Sequence, residues 1–353
     1  MPDPHRPDHF SLEQSEDRLT WIFGSSRSGS TWLLRMLAGL DGVVPIDDPH
    51  LGHHLGVWRP ISLAWAAAEH PPDLTTLDRL KHDKASYFFS DRYRDAWEPA
   101  LRRLIAARFD AEVHDHLTGG SSLAVRSASG AGVAGVASPG ARPGPGSGGG
   151  DAGHAGPGVD GQPLVVVKEP GSHVADHLVS LFPRSRLVFL LRDGRDVVDS
   201  WLSAYRSGSW ALDEGAFPAT EEGRVALVRW QSAVWAFRTD VVQRVFAAHP
   251  DDRKVRVRYE DLVADPVPEL ARIAAAVPLG ATPEALAAVA AAHDYGRVDP
   301  AQKGDGKHIR SARPGGWRTS MTPTEQRVMH EIMRPMLVRL GYVDPDPLPL
   351  ALT

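Results

Sequence analysis

LTWIFGSSRSGSTWLLRMLAGL, residues 19–40, decides how the rest of the chain is read. Leu19 to Gly24 is a short apolar run closed by glycine, Ser25 to Ser30 is small and polar, and Thr31 to Leu40 is apolar at helical spacing. The order predicts a strand, a tight loop and a helix. Glycine-permitted backbone and the free N–H groups of a helix start converge on an anion at such a junction. Gly24, Gly29 and Thr31 match the spacing of the nucleotide-triphosphate loop, but Ser30 stands where that motif requires lysine. A cation sits inside the loop instead, as Arg27, whose guanidinium suits bidentate contact with phosphate or sulfate.

Two further runs, Leu164–Val167 (LVVV) and Leu187–Leu191 (LVFLL), are apolar throughout, as in strands buried on both faces. Val255–Tyr259 (VRVRY) alternates apolar and basic and reads as a strand nearer the sheet edge. Helical patterns occupy 91–113, 174–182, 194–205, 221–248, 283–293 and 323–340. The alternation predicts an α/β fold, a P-loop-like doubly wound sheet of mainly parallel strands flanked by helices. Residues 118–163, which include SASGAGVAGVASPGARPGPGSGGG, hold almost no large apolar side chains and read as a disordered insertion in one domain spanning 19–343. Residues 1–18 and 344–353 read as flexible ends.

With 353 residues, 42% of them hydrophobic, the chain can bury a large core. A net charge of -5 argues against a general grip on nucleic acid, so any anion site is local. The absence of cysteine excludes disulfides, thiolate metal sites and a cysteine nucleophile. The polar N-terminus lacks a signal-peptide core and no later run reaches membrane-spanning length, so a cytoplasmic location is expected. His50, His53 and His54 do not form a convincing metal set, because adjacent His53 and His54 point apart on a helix; no metal is expected.

The run FGSSRSGSTWLLRML (23–37) resembles the 5′-phosphosulfate loop of sulfotransferases that use 3′-phosphoadenosine-5′-phosphosulfate (PAPS), especially the bacterial and carbohydrate branches. The resemblance implies that Arg27, Ser28, Gly29, Ser30 and Thr31 hold the 5′-phosphate. It places Trp32 near adenine, a position it shares with a plain core role. FPRSRLVFLLRDGRDVVDSWLSAY (182–205) resembles the family's 3′-phosphate motif, with Arg192 and Ser200 as the binding pair. RSARPGGWR (310–318) resembles the C-terminal loop, where Ala312 and Ser311 depart from the pattern and leave open whether Arg310 or Arg313 reaches the 3′-phosphate; Gly315 belongs to this loop. Tyr259, in YEDL, matches a tyrosine that approaches adenine, and reads equally as a strand end.

By the same resemblance Arg27 and Lys168 are the cations that stabilise charge during transfer. A base is also needed for a hydroxyl acceptor. Asp48, in VVPIDDPHLGHH (43–54), is the first candidate, Glu169 the second, and His50 and His173 follow. The implied activity is sulfuryl transfer from PAPS to a hydroxyl, less readily an amine, of a small-molecule, carbohydrate or glycolipid acceptor. Two alternatives remain: a P-loop-type kinase or NTPase dependent on magnesium, and a non-catalytic PAPS-binding relative. The acceptor and the oligomeric state are not specified by sequence.

Overall fold

The structure is a computed structural model that describes residues 10–54, 86, 88–119, 161–205, 220–297, 304 and 313–345. Five strands, β1 (Leu19–Phe23), β2 (Val43–Asp47), β3 (Leu164–Glu169), β4 (Arg186–Leu191) and β5 (Lys254–Arg258), form one sheet in the order β2-β3-β1-β4-β5. Every neighbouring pair is parallel. The described helices, in chain order, are α1 (Ser30–Ala38), α2 (Leu51–His54), α3 (Arg94–Leu117), α4 (Ala175–Leu181), α5 (Gly194–Ala204) and α6 (Glu221–Ala248). They continue with α7 (Tyr259–Ala264), α8 (Pro266–Ala276), α9 (Pro283–Ala292), α10 (Trp317–Ser320) and α11 (Pro323–Arg339).

The strands are apolar on both faces because helices cover both. Trp21 and Phe23 of β1, Val165 and Val167 of β3, and Leu187, Phe189 and Leu191 of β4 join one core with α3, α4, α6 and α11. Ile22, Val166, Val188 and Leu190 point the other way, into a second core with α1, α8 and α9. Trp21 stacks on Phe23 at 5.6 Å between ring centroids and contributes more than its area alone. Each such fully buried large side chain contributes roughly 1.5–3 kcal/mol.

Several elements go beyond the sequence reading. β2 contains Pro45, which argues against a central strand, and β2 lies at the sheet edge, where a missing N–H is tolerated. α7 and α8 were not expected; α8 begins on Pro266 at its first turn, the one helical position proline favours. Leu12 and Glu16 are buried, in place of the loose terminus expected through Arg18. Leu12 is fully buried, its N–H donates to Asp110 Oδ1 at 2.8 Å, and Glu16 accepts from Arg102 at 2.6 Å. Nearly all of the expected insertion, residues 120–160, and residues 346–353 of the tail lie outside the described residues. Among the described residues no helix is long and apolar enough to cross a membrane.

The strand order fixes where a site can form. The chain leaves β1 toward β2 on one side and reaches β4 and β5 on the other, so the sheet's direction of winding reverses between β1 and β4. Ligands of open parallel sheets bind at that reversal, beyond the carboxyl ends of the strands. The loops after β1 and β4 meet there.

Candidate functional site

The loop after β1 is built by backbone constraints. A Cβ on Gly24 would lie 2.4 Å from the Leu190 carbonyl of β4, so only glycine lets the two strands' ends approach so closely. Ser28 N–H donates to the Ser25 carbonyl at 3.0 Å, closing a turn in which Arg27 takes a left-handed φ of 72°. A branch-free side chain pays about 1–2 kcal/mol for that conformation, so the surrounding contacts must hold it. Gly29, at φ 92°, caps α1, and a Cβ there would sit 2.5 Å from the Tyr259 ring. The first N–H groups of α1 have no partner within the helix and are available to an anion.

This loop meets the segment after β4. Arg27 Nε donates to Ser200 Oγ at 3.1 Å, and Arg192 Nη1 donates to the Arg27 carbonyl at 2.8 Å. The Arg192 guanidinium lies 4.2 Å from the centre of the Tyr259 ring, and Trp32 meets the same ring edge-on at 6.3 Å. Trp32 Nε1 also donates to the His293 carbonyl at 2.9 Å, so it is both a packing residue and a wall of this region. Arg27, Ser28, Gly29, Trp32, Arg192, Ser200 and Tyr259 are thereby brought together. Ser28 Oγ and Arg192 Nε are buried with no hydrogen-bond partner, and both belong to the loop-facing set. Buried polar atoms of this kind ordinarily have a partner, which a phosphate oxygen would supply. The residues present therefore fit a phosphate-bearing group.

The charges in RDGRD, residues 192–196, divide cleanly. Asp193 caps α5 and binds Arg195 at 2.7 Å, both buried. Asp196 accepts from Gly315 N–H at 2.7 Å and Trp317 N–H at 3.4 Å, which docks the C-terminal loop on α5; burial raises its carboxyl above the usual range. Gly315 is at φ 83° in that loop. Arg313 is exposed at its edge, and Arg310 lies outside the described residues.

Lys168 and Glu169 are sequence neighbours that face opposite cores. Lys168, on the α1 side, is 4% exposed, and its Nζ lies 2.7 Å from each of Thr31 Oγ1, Asp48 Oδ2 and Asp47 Oδ1. Asp47 was missed in the sequence; its in-register pairing with Lys168 in the β2–β3 ladder is visible only once β2 is known. Asp48 continues that ladder, donating its N–H to the Lys168 carbonyl at 3.1 Å, and turns at φ 51°. Its Oδ1 has no hydrogen-bond partner.

Glu169 does not pair with Lys168. It points to the α6 side, where Oε2 accepts from Leu51 N–H at 2.8 Å and Oε1 from Gly171 N–H at 2.6 Å. Burial pushes its carboxyl up to about 7, with the amides pulling it back only in part. His173 is buried against Gly52, and His50 is exposed at φ 53°. Arg238, on α6, also escaped the sequence reading. Its Nη1 donates to Ser26 Oγ at 3.1 Å, and burial lowers its guanidinium to about 10. Among the described residues no three His, Asp or Glu side chains converge as a metal set; the side chains of His53 and His54 lie outside them.

Similar solved structures include the sulfotransferase domain of the Synechococcus PCC 7002 olefin synthase, at 18% identity, covering 94% of this chain and 95% of that one, with a TM-score of 0.42. The sulfotransferase STF9 of Mycobacterium avium is 14% identical over 95% of this chain and 81% of that one, at 0.45. Mouse sulfotransferase SULT7A1 complexed with PAP is 11% identical over 94% and 92%, at 0.43. No curated protein sequence matches the chain. The model of a family described as the sulfotransferase family matches residues 20–283, from β1 to the first residue of α9, and takes in both arginine segments and Lys168. On that match, the chain belongs to the sulfotransferase family.

Proposed function

We propose that this chain, as one domain spanning residues 19–343 and acting in the cytoplasm, transfers the sulfuryl group of PAPS to a hydroxyl, less readily an amine, of a small-molecule, carbohydrate or glycolipid acceptor. The observation that carries the reading is the meeting of Arg27 with Ser200 and Arg192 across 3.1 and 2.8 Å. Two anion-binding segments remote in sequence close on one place, as a nucleotide with two separated phosphates requires.

PAPS, when bound, supplies the sulfuryl group and a phosphate leaving group for in-line displacement. The loop residues Ser28 to Thr31 offer amides and hydroxyls to the 5′-phosphate, and Arg192 and Ser200 take the 3′-phosphate. The C-terminal loop completes the 3′-phosphate site through Gly315 and one of the two arginines, Arg310 or Arg313. Trp32 and Tyr259 flank the base. Arg27 and Lys168 bring fixed positive charge to the side where the leaving oxygen gains charge. Asp48 is favoured as the base: Lys168 holds one oxygen at 2.7 Å and leaves Oδ1 without a partner, ready for the acceptor's proton. Both oxygens of Glu169 are already engaged by backbone amides.

Calorimetric titration with 3′,5′-adenosine bisphosphate and, separately, ATP with magnesium tests the reading without knowledge of the acceptor. Tight binding of the bisphosphate alone is the expected result; preference for ATP with magnesium overturns it in favour of a kinase or NTPase.

A further inference from the structure

Arg238 occupies an unusual place on α6. Residues 234, 235, 241 and 242, three and four positions to either side, are Val234, Trp235, Val241 and Val242, all buried in the larger core. At helical spacing these form one stripe, so the sequence sets a guanidinium in the middle of an apolar face. A charge so placed is strongly disfavoured unless fixed partners compensate it. Its partners lie beneath the phosphate loop. Nη1 reaches Ser26 Oγ at 3.1 Å, and Ser26 Oγ donates in turn to the Pro170 carbonyl at 3.4 Å, just past the end of β3. The charge of Glu169 favours the guanidinium's ionised form there. Ser26 immediately precedes Arg27, the residue held at a left-handed φ of 72°.

We propose that Arg238 is a positioning residue for sulfuryl transfer: through Ser26 it fastens the phosphate loop to the buried helix α6 and holds Arg27 in its left-handed conformation. Arg238 is 7% exposed and lies on the inner side of the loop, so it acts on the nucleotide through the loop and not by touching it. α6 is a firm anchor, since it packs against α5, α11 and the first core along most of its length. The inference rests on the loop's role as the nucleotide site proposed above.

The test uses the full chain as wild type, Ser26→Ala, Arg238→Lys and the double variant. 3′,5′-Adenosine bisphosphate binding is measured by calorimetry, and amide hydrogen exchange of residues 26–31 is measured without nucleotide. The expected result is a loss of affinity of about tenfold for Ser26→Ala with an unchanged melting temperature, a comparable loss for Arg238→Lys, and a double variant no weaker than the weaker single one. Exchange of the loop amides rises in each variant. Unchanged affinity and exchange in Ser26→Ala, or losses that simply add in the double variant, overturn the proposal. Ser26→Ala removes only a hydroxyl, so unchanged affinity and exchange in it overturn the proposal even if Arg238→Lys fails to fold. If wild type itself does not bind the bisphosphate, the nucleotide reading falls, while the exchange measurement still decides whether Arg238 fastens the loop.

Discussion

Arg192 donates from Nη1 to the main-chain carbonyl of Arg27 at 2.8 Å, so two arginines that would repel side by side are joined through backbone. The bond supports the left-handed turn of Arg27, whose side chain reaches Ser200. Replacing Arg192 therefore removes the ligand proposed for the 3′-phosphate and one contact on the loop.

Arg192→Ala is expected to weaken 3′,5′-adenosine bisphosphate binding by about ten- to a hundredfold, the range of a lost hydrogen bond to a charged group. Binding of adenosine 5′-phosphate, which lacks the 3′ group, should fall much less. Titration with both ligands checks this; equal losses for the two would contradict the assignment of Arg192 to the 3′-phosphate.

Gly29→Ala places a Cβ at φ 92° and 2.5 Å from the Tyr259 ring. The expected cost is roughly 1–3 kcal/mol of stability together with loss of nucleotide binding. In a Tyr259→Ala background the overlap is gone but the backbone strain is not, so by urea unfolding Gly29→Ala should cost less there than in wild type, though not nothing.

Asp48→Asn is expected to lower kcat by about 10²–10⁴-fold with bisphosphate affinity kept, whereas Glu169→Gln should retain most of kcat. Steady-state kinetics with an identified acceptor, alongside calorimetry, separates the two. A large loss of kcat in Glu169→Gln with Asp48→Asn unaffected would exchange their roles.

Glu169 also gives the fold a pH dependence of definite sign. Its carboxyl titrates at about 7 in the folded chain against 4.5 when free. Below the lower value both states hold the proton; between the two only the folded state does, so the stabilisation is lost as pH rises through 7. The loss is roughly 3 kcal/mol when complete. His249 and His330, both lowered by burial, act in the opposite direction near and below their ordinary range. Urea unfolding of wild type and Glu169→Gln at pH 5.5 and 8 isolates the effect: wild type should lose stability relative to the variant at the higher pH.

Much of this was legible in the sequence. The four strands with uninterrupted or alternating apolar runs announced themselves, and α6 was readable at both ends because Thr220 caps one and the apolar spacing stops at the other. The two arginine segments were legible because strand, turn and helix lie in order around each. β2 was hidden by Pro45, and with it the proximity of Asp47 to Lys168. The separation of Lys168 from Glu169 follows from strand periodicity, which sends neighbouring side chains of β3 to opposite faces. Arg238 stands out locally as a charge within an apolar helical stripe, but its partner Ser26 is 212 residues away and only packing brings them together.

The alternation along β3 makes position in that strand equivalent to a choice of side. Losing one residue between Leu164 and Val167 while the pairing with β1 is kept would turn the lysine into the core beside α6 and hand the carboxylate to the phosphate loop. The composition of both neighbourhoods would stay the same and their charges would be exchanged. Variation in length is thus admissible before Leu164 but not within β3, and indel scanning across 158–170 should show an abrupt edge at the first residue of the strand.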